Sequence, residues 1–195
     1  MMMTWILTYS GKMFDIVNLT EDMIDPEDMI HALSFTPRWS GHSKKFYSVA
    51  AHCLRVAELV KEMFPESGNV GELAALLHDG PEAYIKDVAR PIRPLLKGYD
   101  TIDNAILKTM CQKYNVPYPL PSYIWVADDI ALATEKQDLM NTKKYDFPTK
   151  QKPRGKTKLI SSRKAKYKML LKFHKLANIK VGFWQRFYWH IRVFI

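Results

Sequence analysis

The sequence has 195 residues, 47% of them hydrophobic, and a formal net charge of +9. This length suits one domain with a sizeable apolar core. No apolar run reaches the roughly 18 to 20 residues that a membrane-spanning helix requires, and the N-terminal segment lacks the features of a signal peptide. Cys53 and Cys111 form no CxxC pair and are expected to be buried thiols. Composition therefore predicts a globular cytoplasmic protein.

The charge is divided unevenly along the chain. Residues 1–140 contain 13 Lys and Arg against 19 Asp and Glu, a net charge of −6. Residues 141–195 contain 16 Lys and Arg and one acid, a net charge of +15. A basic segment of this kind is either a solvated face or a docking surface for an anionic partner. We predict a body at 1–140 and a basic linker with a C-terminal helical extension at 141–195, packed on the same domain.

The predicted elements begin with a small β-hairpin. Two short β-prone runs flank residues 10–12, whose Ser-Gly-Lys sequence favours a turn. A helix is expected to begin near Asp25, because an Asp cap is followed by Pro26 at the first helical position and by acidic residues in the first turn. It should end before Pro37.

Strong helical periodicity follows. From Ser43 as far as Val60, apolar residues recur at i, i+3, i+4 and i+7, which predicts an amphipathic helix with His52 beside the apolar stripe. A third helix, at roughly 68–79, is apolar on nearly every side and should be central. The Gly-Pro pair that follows should end it.

The remaining elements are also predicted to be helical. Helices are expected at about 81–89, 99–114 and 122–140. Ser122 should cap the last of these. Residues 143–158, rich in Pro, Gly and Lys, predict a loop or linker, and a basic amphipathic helix should follow near 161–177. The sequence therefore predicts an all-α helical bundle with a small N-terminal hairpin.

The end of the third helix carries the first indication of chemistry. Asp79 would meet the negative end of the helix dipole, and burial beside leucines would add a desolvation cost of several kcal/mol. A nearby cation removes that cost, and His78 is a residue type that binds metals. A divalent ion held by both residues explains the pair. The alternative is a structural histidine beside an aspartate that caps a neighbouring backbone.

Further candidate ligands lie on two other helices. His52 lies at the edge of the apolar stripe of its helix, and Asp128 points inward because it shares a helical face with apolar neighbours, whereas Asp129 does not. Such a set offers nitrogen and oxygen ligands for Zn, Co, Mn or Fe and can leave a position open for water, which indicates catalysis. Other histidines show no ligand-like grouping and are predicted to be structural or surface residues: His31, His174 and His190.

The order His52, His78-Asp79, Asp128 resembles the H…HD…D signature of HD-domain metal-dependent phosphohydrolases. The segments "FYSVAAH", "ALLHDGPEAYIKDV" and "ADDIALATEKQDLM" are similar to the small phage and bacterial branch that hydrolyses nucleotides. The resemblance covers roughly residues 4–140. It implies an HD-domain helical bundle in which these four residues bind one divalent ion, Zn first, with Co, Mn, Fe or Mg as alternatives.

The resemblance also implies roles for four further residues. Glu82 would be a general acid or base, or would position water, and Asp87 would hold a substrate hydroxyl or the leaving oxygen. Arg38 would clamp a phosphate, and Trp39 would stack on a base. Three of the four have a structural alternative: a first-turn acid favoured by the helix dipole for Glu82, a surface ion pair for Asp87, and a packed loop residue for Trp39.

The implied activity is hydrolysis of deoxynucleotides in the cytoplasm, or in the host cytoplasm if the chain is phage-encoded. Conversion of dATP to deoxyadenosine and triphosphate is expected first, because the basic loop 38–45, with Lys44 and Lys45, could supply the extra cations together with Lys86, Arg90 and Arg93. A further Mg could accompany the triphosphate. A deoxynucleoside 5'-monophosphatase on the same fold is the alternative. A homo-oligomer is expected, with the aromatic residues of 180–195 between subunits.

A different class of function stays open at this point. The basic segment could bind nucleic acid or another partner beside a degenerate metal site. The intact set of ligands argues against this interpretation, so nucleic-acid binding is not favoured.

Overall fold

The computed structural model describes residues 4–180 and Gly182. Within that part of the chain, a two-stranded antiparallel sheet precedes a series of α-helices. The strands are β1 (Trp5–Leu7) and β2 (Met13–Asp15). The helices are α1 (Pro26–Phe35), α2 (Val49–Met63), α3 (Gly68–Leu77), α4 (Glu82–Ile85), α5 (Tyr99–Lys113), α6 (Ser122–Leu139) and α7 (Ser162–Leu176). The predicted helical fold with a small N-terminal hairpin is confirmed.

The hairpin is anchored to the helical body through one buried ring and one buried carboxylate. Phe14 of β2 is fully buried, and its ring stacks on that of Tyr84 at a centroid distance of 3.6 Å. Asp28 of α1 accepts hydrogen bonds from the backbone N–H of Ser10 at 2.6 Å and from its hydroxyl at 2.7 Å. Gly11 supplies the positive φ of 84° that the turn requires.

Helix α2 begins later than the sequence predicted, at Val49 rather than near Ser43. The residues just before it are kept out of the helix because their backbone pairs with the segment that follows α1: the N–H of Arg38 donates to the carbonyl of Tyr47 at 2.8 Å. Ser48 then caps the helix by accepting from the N–H of Ala51 at 3.2 Å. By contrast, α1 begins as predicted, with the side chain of Asp25 as its N-cap.

The turn between α3 and α4 positions the histidine-aspartate pair. Leu73–Leu77 are all buried, so α3 is central as expected. At Gly80 an added Cβ would lie 2.8 Å from the carbonyl oxygen of Leu77, so the close turn requires glycine. Helix α4 ends at Ile85 instead of the predicted residue 89, because Lys86 has a positive φ of 73° that no helix continues.

Helix α2 lies at the centre of the bundle, packed against α1, α3, α6 and α7. Helix α6 begins at Ser122, but the side chain of Ser122 makes no capping hydrogen bond, so the predicted cap is wrong. Both cysteines are free and buried, as predicted. Among the described residues, no helix is both long and apolar enough to cross a bilayer.

The predicted linker is irregular but is tied to the helices along its length. Arg55 of α2 donates to the carbonyl of Arg154 at 2.9 Å, and the N–H of Thr157 donates to Asp138 of α6 at 2.7 Å. The C-terminal part of the extension, with His190 and most of residues 181–195, lies outside the described residues. The division at residue 140 and the homo-oligomer stay predictions.

Ser48 caps a helix and Ser122 does not, so the same substitution at the two positions should lower the free energy of unfolding by different amounts. Ser48→Ala removes the acceptor of the Ala51 N–H in a fully buried position and should lower the free energy of unfolding by about 1 kcal/mol. Ser122→Ala is the control and should change it by less than about 0.5 kcal/mol, because that exposed hydroxyl caps nothing. Urea unfolding followed by circular dichroism measures both, and equal losses would contradict the assignment of the caps.

Candidate metal centre

Three helical segments bring a cluster of ligand atoms together in the core. His52 comes from α2, His78 follows the end of α3, and Asp128 lies on α6. The Nε2 atoms of His52 and His78 are 3.3 Å apart, and the Oδ1 atom of Asp128 lies 3.1 Å from the first and 3.9 Å from the second. All three residues are buried.

Asp79 completes this cluster on its more open side. Its Oδ2 atom lies 3.4 Å from Nε2 of His52 and 3.3 Å from Nε2 of His78. The side chain is 14% exposed, compared with 6% or less for the other three. The four residues that the sequence singled out as ligands therefore converge on one point, and two of them, Asp79 and Asp128, also line the cavity.

The donor set fits one divalent ion. Two ligands that are each about 2.1 Å from an ion lie about 3.0 Å apart at a right angle and about 3.4 Å apart at the tetrahedral angle. Most of the separations in the cluster match these values, so small movements suffice to close it around an ion. Two imidazoles with carboxylates suit Zn, Co, Mn or Fe. The buried group of His52, His78 and Asp128 can thus hold a metal ion.

The second nitrogen of each imidazole is fixed by an acceptor. Nδ1 of His52 lies 2.6 Å from Oε1 of Glu135, and Nδ1 of His78 lies 2.8 Å from the carbonyl of Ala75. A carboxylate and a carbonyl accept only, so both Nδ1 atoms carry a proton and both Nε2 atoms face the cluster, where each would offer its lone pair to a bound ion. This arrangement is typical of metal-binding histidines.

Glu135 is the residue that the sequence reasoning did not assign. It is 1% exposed and accepts from the indole N–H of Trp39 at 3.2 Å in addition to its contact with His52. Nε of Arg38 lies 3.5 Å from the same carboxylate. Its position seven residues after Asp128, on the same face of α6, was the signal that could have found it.

Opposite charges determine the protonation of the cluster. Burial lowers the pKa of His52, as does the charge of Arg38, but Glu135 and Asp128 outweigh both and raise that pKa to about 10. Burial raises the pKa of Asp128, yet the hydrogen bond and charge of His52 lower it below its ordinary value. The pKa of Asp79 is lowered in the same way, against burial, by His78, His52 and Arg38. The cluster therefore stabilises positive charge at its centre.

Arg90 is a second residue whose role the sequence reasoning missed. Its guanidinium donates to Oδ2 of Asp128 at 2.6 Å and to Oδ1 of Asp129 at 3.0 Å. These two hydrogen bonds from Arg90 leave Oδ1 of Asp128 facing the histidines and turn Asp129 away from them. The sequence preference for Asp128 over Asp129 as the inward carboxylate thus agrees with the geometry.

Arg38 and Trp39 lie in the wall beside the cluster. Arg38 is buried and donates to Oδ2 of Asp79 at 3.4 Å. Trp39 and the following Ser40 have positive φ angles of 59° and 50°, a strained conformation for residues with a Cβ. The hydrogen bond from Trp39 to Glu135 holds this turn in place. The predicted contacts of Arg38 and Trp39 with substrate stay predictions.

Glu82 and Asp87 face the same space. Glu82 is 2% exposed; its Oε1 accepts from Arg93 at 3.3 Å, whereas its Oε2 has no hydrogen-bond partner among the described residues. Burial raises the pKa of Glu82 well above its ordinary value, and the charges of Asp79 and Asp87 add to this effect. Burial also raises the pKa of Asp87. Glu82 is thus a buried carboxyl that can retain a proton.

These residues line one cavity of about 650 Å³. Its wall combines charged groups with aromatic and aliphatic side chains. The lining includes Arg38, Trp39, Asp79, Glu82, Asp87, Arg90, Arg93, Trp125, Asp128, Asp129, Leu132, Phe147, Pro148 and Lys150. Within the described part of the chain, the lining includes neither Lys44 nor Lys45, so these lysines do not join Arg38 there. The sequence left open whether these lysines contact a substrate, and the described lining does not include them.

The other histidines lie outside the site. His31 stacks on Tyr9 at 3.7 Å, and burial together with the charge of Lys166 lowers its pKa to about 4. His174 is buried, and its Nδ1 lies 2.8 Å from the carbonyl of Leu170. Both have structural surroundings, as the sequence predicted.

Fold and site together define a mostly helical protein with a buried His/Asp cluster that can bind metal. No family model matches the sequence. The chain is 36% identical over 137 residues to the uncharacterized protein YfdR of Escherichia coli K12, a match that covers 70% of this chain and 73% of YfdR. It is 33% identical over 142 residues to the uncharacterized protein RCAP_rcc00048 of Rhodobacter capsulatus, covering 69% and 72%. The chain belongs to the same family as these two proteins.

The two adjacent aspartates of α6 test the metal centre. Asp128→Asn removes a ligand and should lower metal affinity by at least about 10- to 100-fold. Asp129→Asn is the matched control and should retain one ion per chain, because Asp129 binds Arg90 and not the cluster. The measurement is metal content by mass spectrometry after loading and gel filtration. Equal loss from both variants would show that the ion is not held at Asp128.

Proposed function

We propose that the protein is a metal-dependent phosphohydrolase of the HD-domain type that acts on deoxynucleotides. The observation that carries the proposal is that the His/Asp cluster opens into a cavity of about 650 Å³ whose wall also carries three arginines and Glu82. A cavity of this volume suits a small-molecule substrate. Guanidinium groups are the preferred protein partners of phosphate.

The four clustered residues would hold the ion, and the remaining wall would handle the substrate. A divalent ion bound by His52, His78, Asp79 and Asp128 supplies Lewis-acid polarisation of a phosphoryl oxygen or an activated water. Arg38, held between Asp79 and Glu135, would direct a guanidinium at the phosphate.

Glu82 would serve as the general acid. Its Oε1 is oriented by Arg93, and its buried Oε2 is the atom at which a proton can be held and then passed to the leaving oxygen. Because burial raises the pKa of Glu82, the protonated form persists closer to neutral pH than for an ordinary glutamic acid. Asp87, in the same wall, would accept a hydrogen bond from a substrate hydroxyl.

The charge of the cavity favours a monophosphate. With Glu82 protonated, four carboxylates and four basic side chains line the wall and cancel, and a divalent ion adds two positive charges. The three arginines are already paired with carboxylates of the same wall. A phosphate monoester of charge about −1.5 to −2 is nearly balanced by this wall, whereas a triphosphate carries much more charge. We therefore place deoxynucleoside 5'-monophosphatase activity first.

Hydrolysis of dATP to deoxyadenosine and triphosphate is the second candidate. The cavity volume and the presence of Arg38, Arg90 and Arg93 in one wall favour it, since a longer phosphate chain needs several donors. The sequence preference for this activity relied on the basic loop 38–45 together with Lys86, Arg90 and Arg93. The arginines belong to the described lining, whereas the lysines do not. A further Mg would be needed to offset the additional charge.

Product analysis tests the proposed activity and separates the two candidates. Metal-loaded protein is incubated with each deoxynucleoside mono- and triphosphate and with the ribonucleotides. Orthophosphate released from deoxynucleoside monophosphates is the expected result, and inorganic triphosphate from dATP would establish the second candidate. If no nucleotide is hydrolysed and Asp128→Asn retains the same metal content as the wild type, the proposed function is wrong.

Glu82→Gln tests the assigned acid. The substitution keeps the size of the side chain and removes its proton, so turnover should fall by about 10²- to 10⁴-fold while metal content is unchanged. Glu72→Gln is the control: Glu72 is also buried and paired with lysines, but it lies outside the cavity, so turnover should stay near the wild-type value. A near-normal rate for Glu82→Gln would show that Glu82 is not the general acid and is only an acidic residue at the start of α4.

A further inference from the structure

The predicted linker contributes part of the cavity wall. Phe147, Pro148 and Lys150 all line the cavity, although they belong to the segment that follows α6. The Phe147 side chain is 39% exposed, which is high for an aromatic residue that lines a cavity. Its ring centroid lies 5.9 Å from that of Trp39, with the two ring planes tilted by 48°. The two rings form one aromatic wall, because a base cannot fit between rings at this distance.

Helix α6 connects the metal cluster with the Phe147 side of this aromatic wall. Trp125, Asp128, Asp129 and Leu132 line the cavity at i, i+3, i+4 and i+7, so one face of α6 runs along it. Lys136, eight residues after Asp128, contacts Phe147. Eight residues of helix extend about 12 Å, which is the length scale of a nucleoside monophosphate.

Lys136 holds the Phe147 segment on α6 by three contacts. Its Nζ atom lies 4.7 Å from the centroid of the Phe147 ring and 2.7 Å from Oδ1 of Asp146, and it also donates to the carbonyl oxygen of Phe147. An ammonium above an aromatic face and a closed ion pair restrict the ring to one position. The segment is therefore fixed against the helix at the point where it meets the cavity.

We propose that Phe147 is a specificity-determining residue that packs against the base of the bound deoxynucleotide. Packing of a base against an aromatic side chain needs a fixed ring, an apolar neighbourhood and exposed ring surface, and Phe147, which is 39% exposed and lines the cavity with Leu132 and Pro148, fits this description. The phosphate end then lies at Asp128 and the base end at Phe147. This inference rests on the proposed function for one point, the identity of the substrate. The position of the base-binding wall does not depend on it.

Kinetics with and without a base test the role of Phe147. Phe147→Ala should raise KM for dAMP by about 10-fold, because a stacked base is lost. It should leave hydrolysis of deoxyribose 5-phosphate, which has no base, within about two-fold of the wild type. Phe147→Tyr should restore the KM for dAMP. Tyr145→Ala is the matched control, since Tyr145 is an aromatic residue of the same segment that is 77% exposed and outside the described lining.

Binding of deoxyadenosine, measured by calorimetry on metal-loaded protein, separates the inference from the proposed function. Binding that is lost in Phe147→Ala and kept in Tyr145→Ala supports the base site even if no phosphate is released from any nucleotide. If dAMP is hydrolysed and Phe147→Ala changes neither its KM nor deoxyadenosine binding, the inference is overturned and the proposed function stands. An equal loss of activity toward dAMP and deoxyribose 5-phosphate in Phe147→Ala also overturns it.

Discussion

The hydrogen bond between His52 and Glu135 is the interaction on which the metal centre depends. It is fully enclosed: His52 is 0% and Glu135 is 1% exposed. Removing one member of such a buried charged pair typically costs about 3 to 5 kcal/mol, since the other is left without compensation. The same carboxylate receives the indole N–H of Trp39 and lies beside Arg38, so one side chain orients a metal ligand and two residues of the cavity wall.

Pairing of opposite charges extends from this contact to the whole cavity. Arg38 lies against Asp79 and Arg90 against both Asp128 and Asp129, while Arg93 donates a hydrogen bond to Glu82. Each pair allows a charged group to be buried without an isolated charge, which would be costly in the core. The pairs also fix the direction of each carboxylate, and this is why Oδ1 of Asp128 faces the histidines. The cavity is therefore preorganised around a cationic centre rather than simply acidic or basic.

Local sequence signals were sufficient for most of the fold. The helices of the body could be predicted from the Asp25 cap, the apolar periodicity of α2 and the Gly80-Pro81 stop, because each of these signals acts on residues only a few positions away in sequence. These local signals failed where the conformation of the backbone depended on more than the nearby sequence pattern. The residues just before Val49 are kept out of the helix because the backbone there pairs with Thr36 and Arg38, and α4 is short because the backbone at Lys86 leaves the helical region. The lysine-rich segment after α6 looked like a linker, since no local pattern reveals that Lys136 holds Phe147.

By itself the sequence determined which residues have metal-ligand chemistry and which of them face inward. His52, His78, Asp79 and Asp128 follow from residue type and helical spacing, and the preference for Asp128 over Asp129 follows from the 3.6-residue period. Only the tertiary structure decided which groups surround them. Arg90 and Phe147 reach the site from positions whose sequence spacing carries no ligand signature, whereas Lys44 and Lys45, close to Arg38 in sequence, do not line the described cavity. Helical period is a local property, but the partner of a buried charge depends on how separate helices pack.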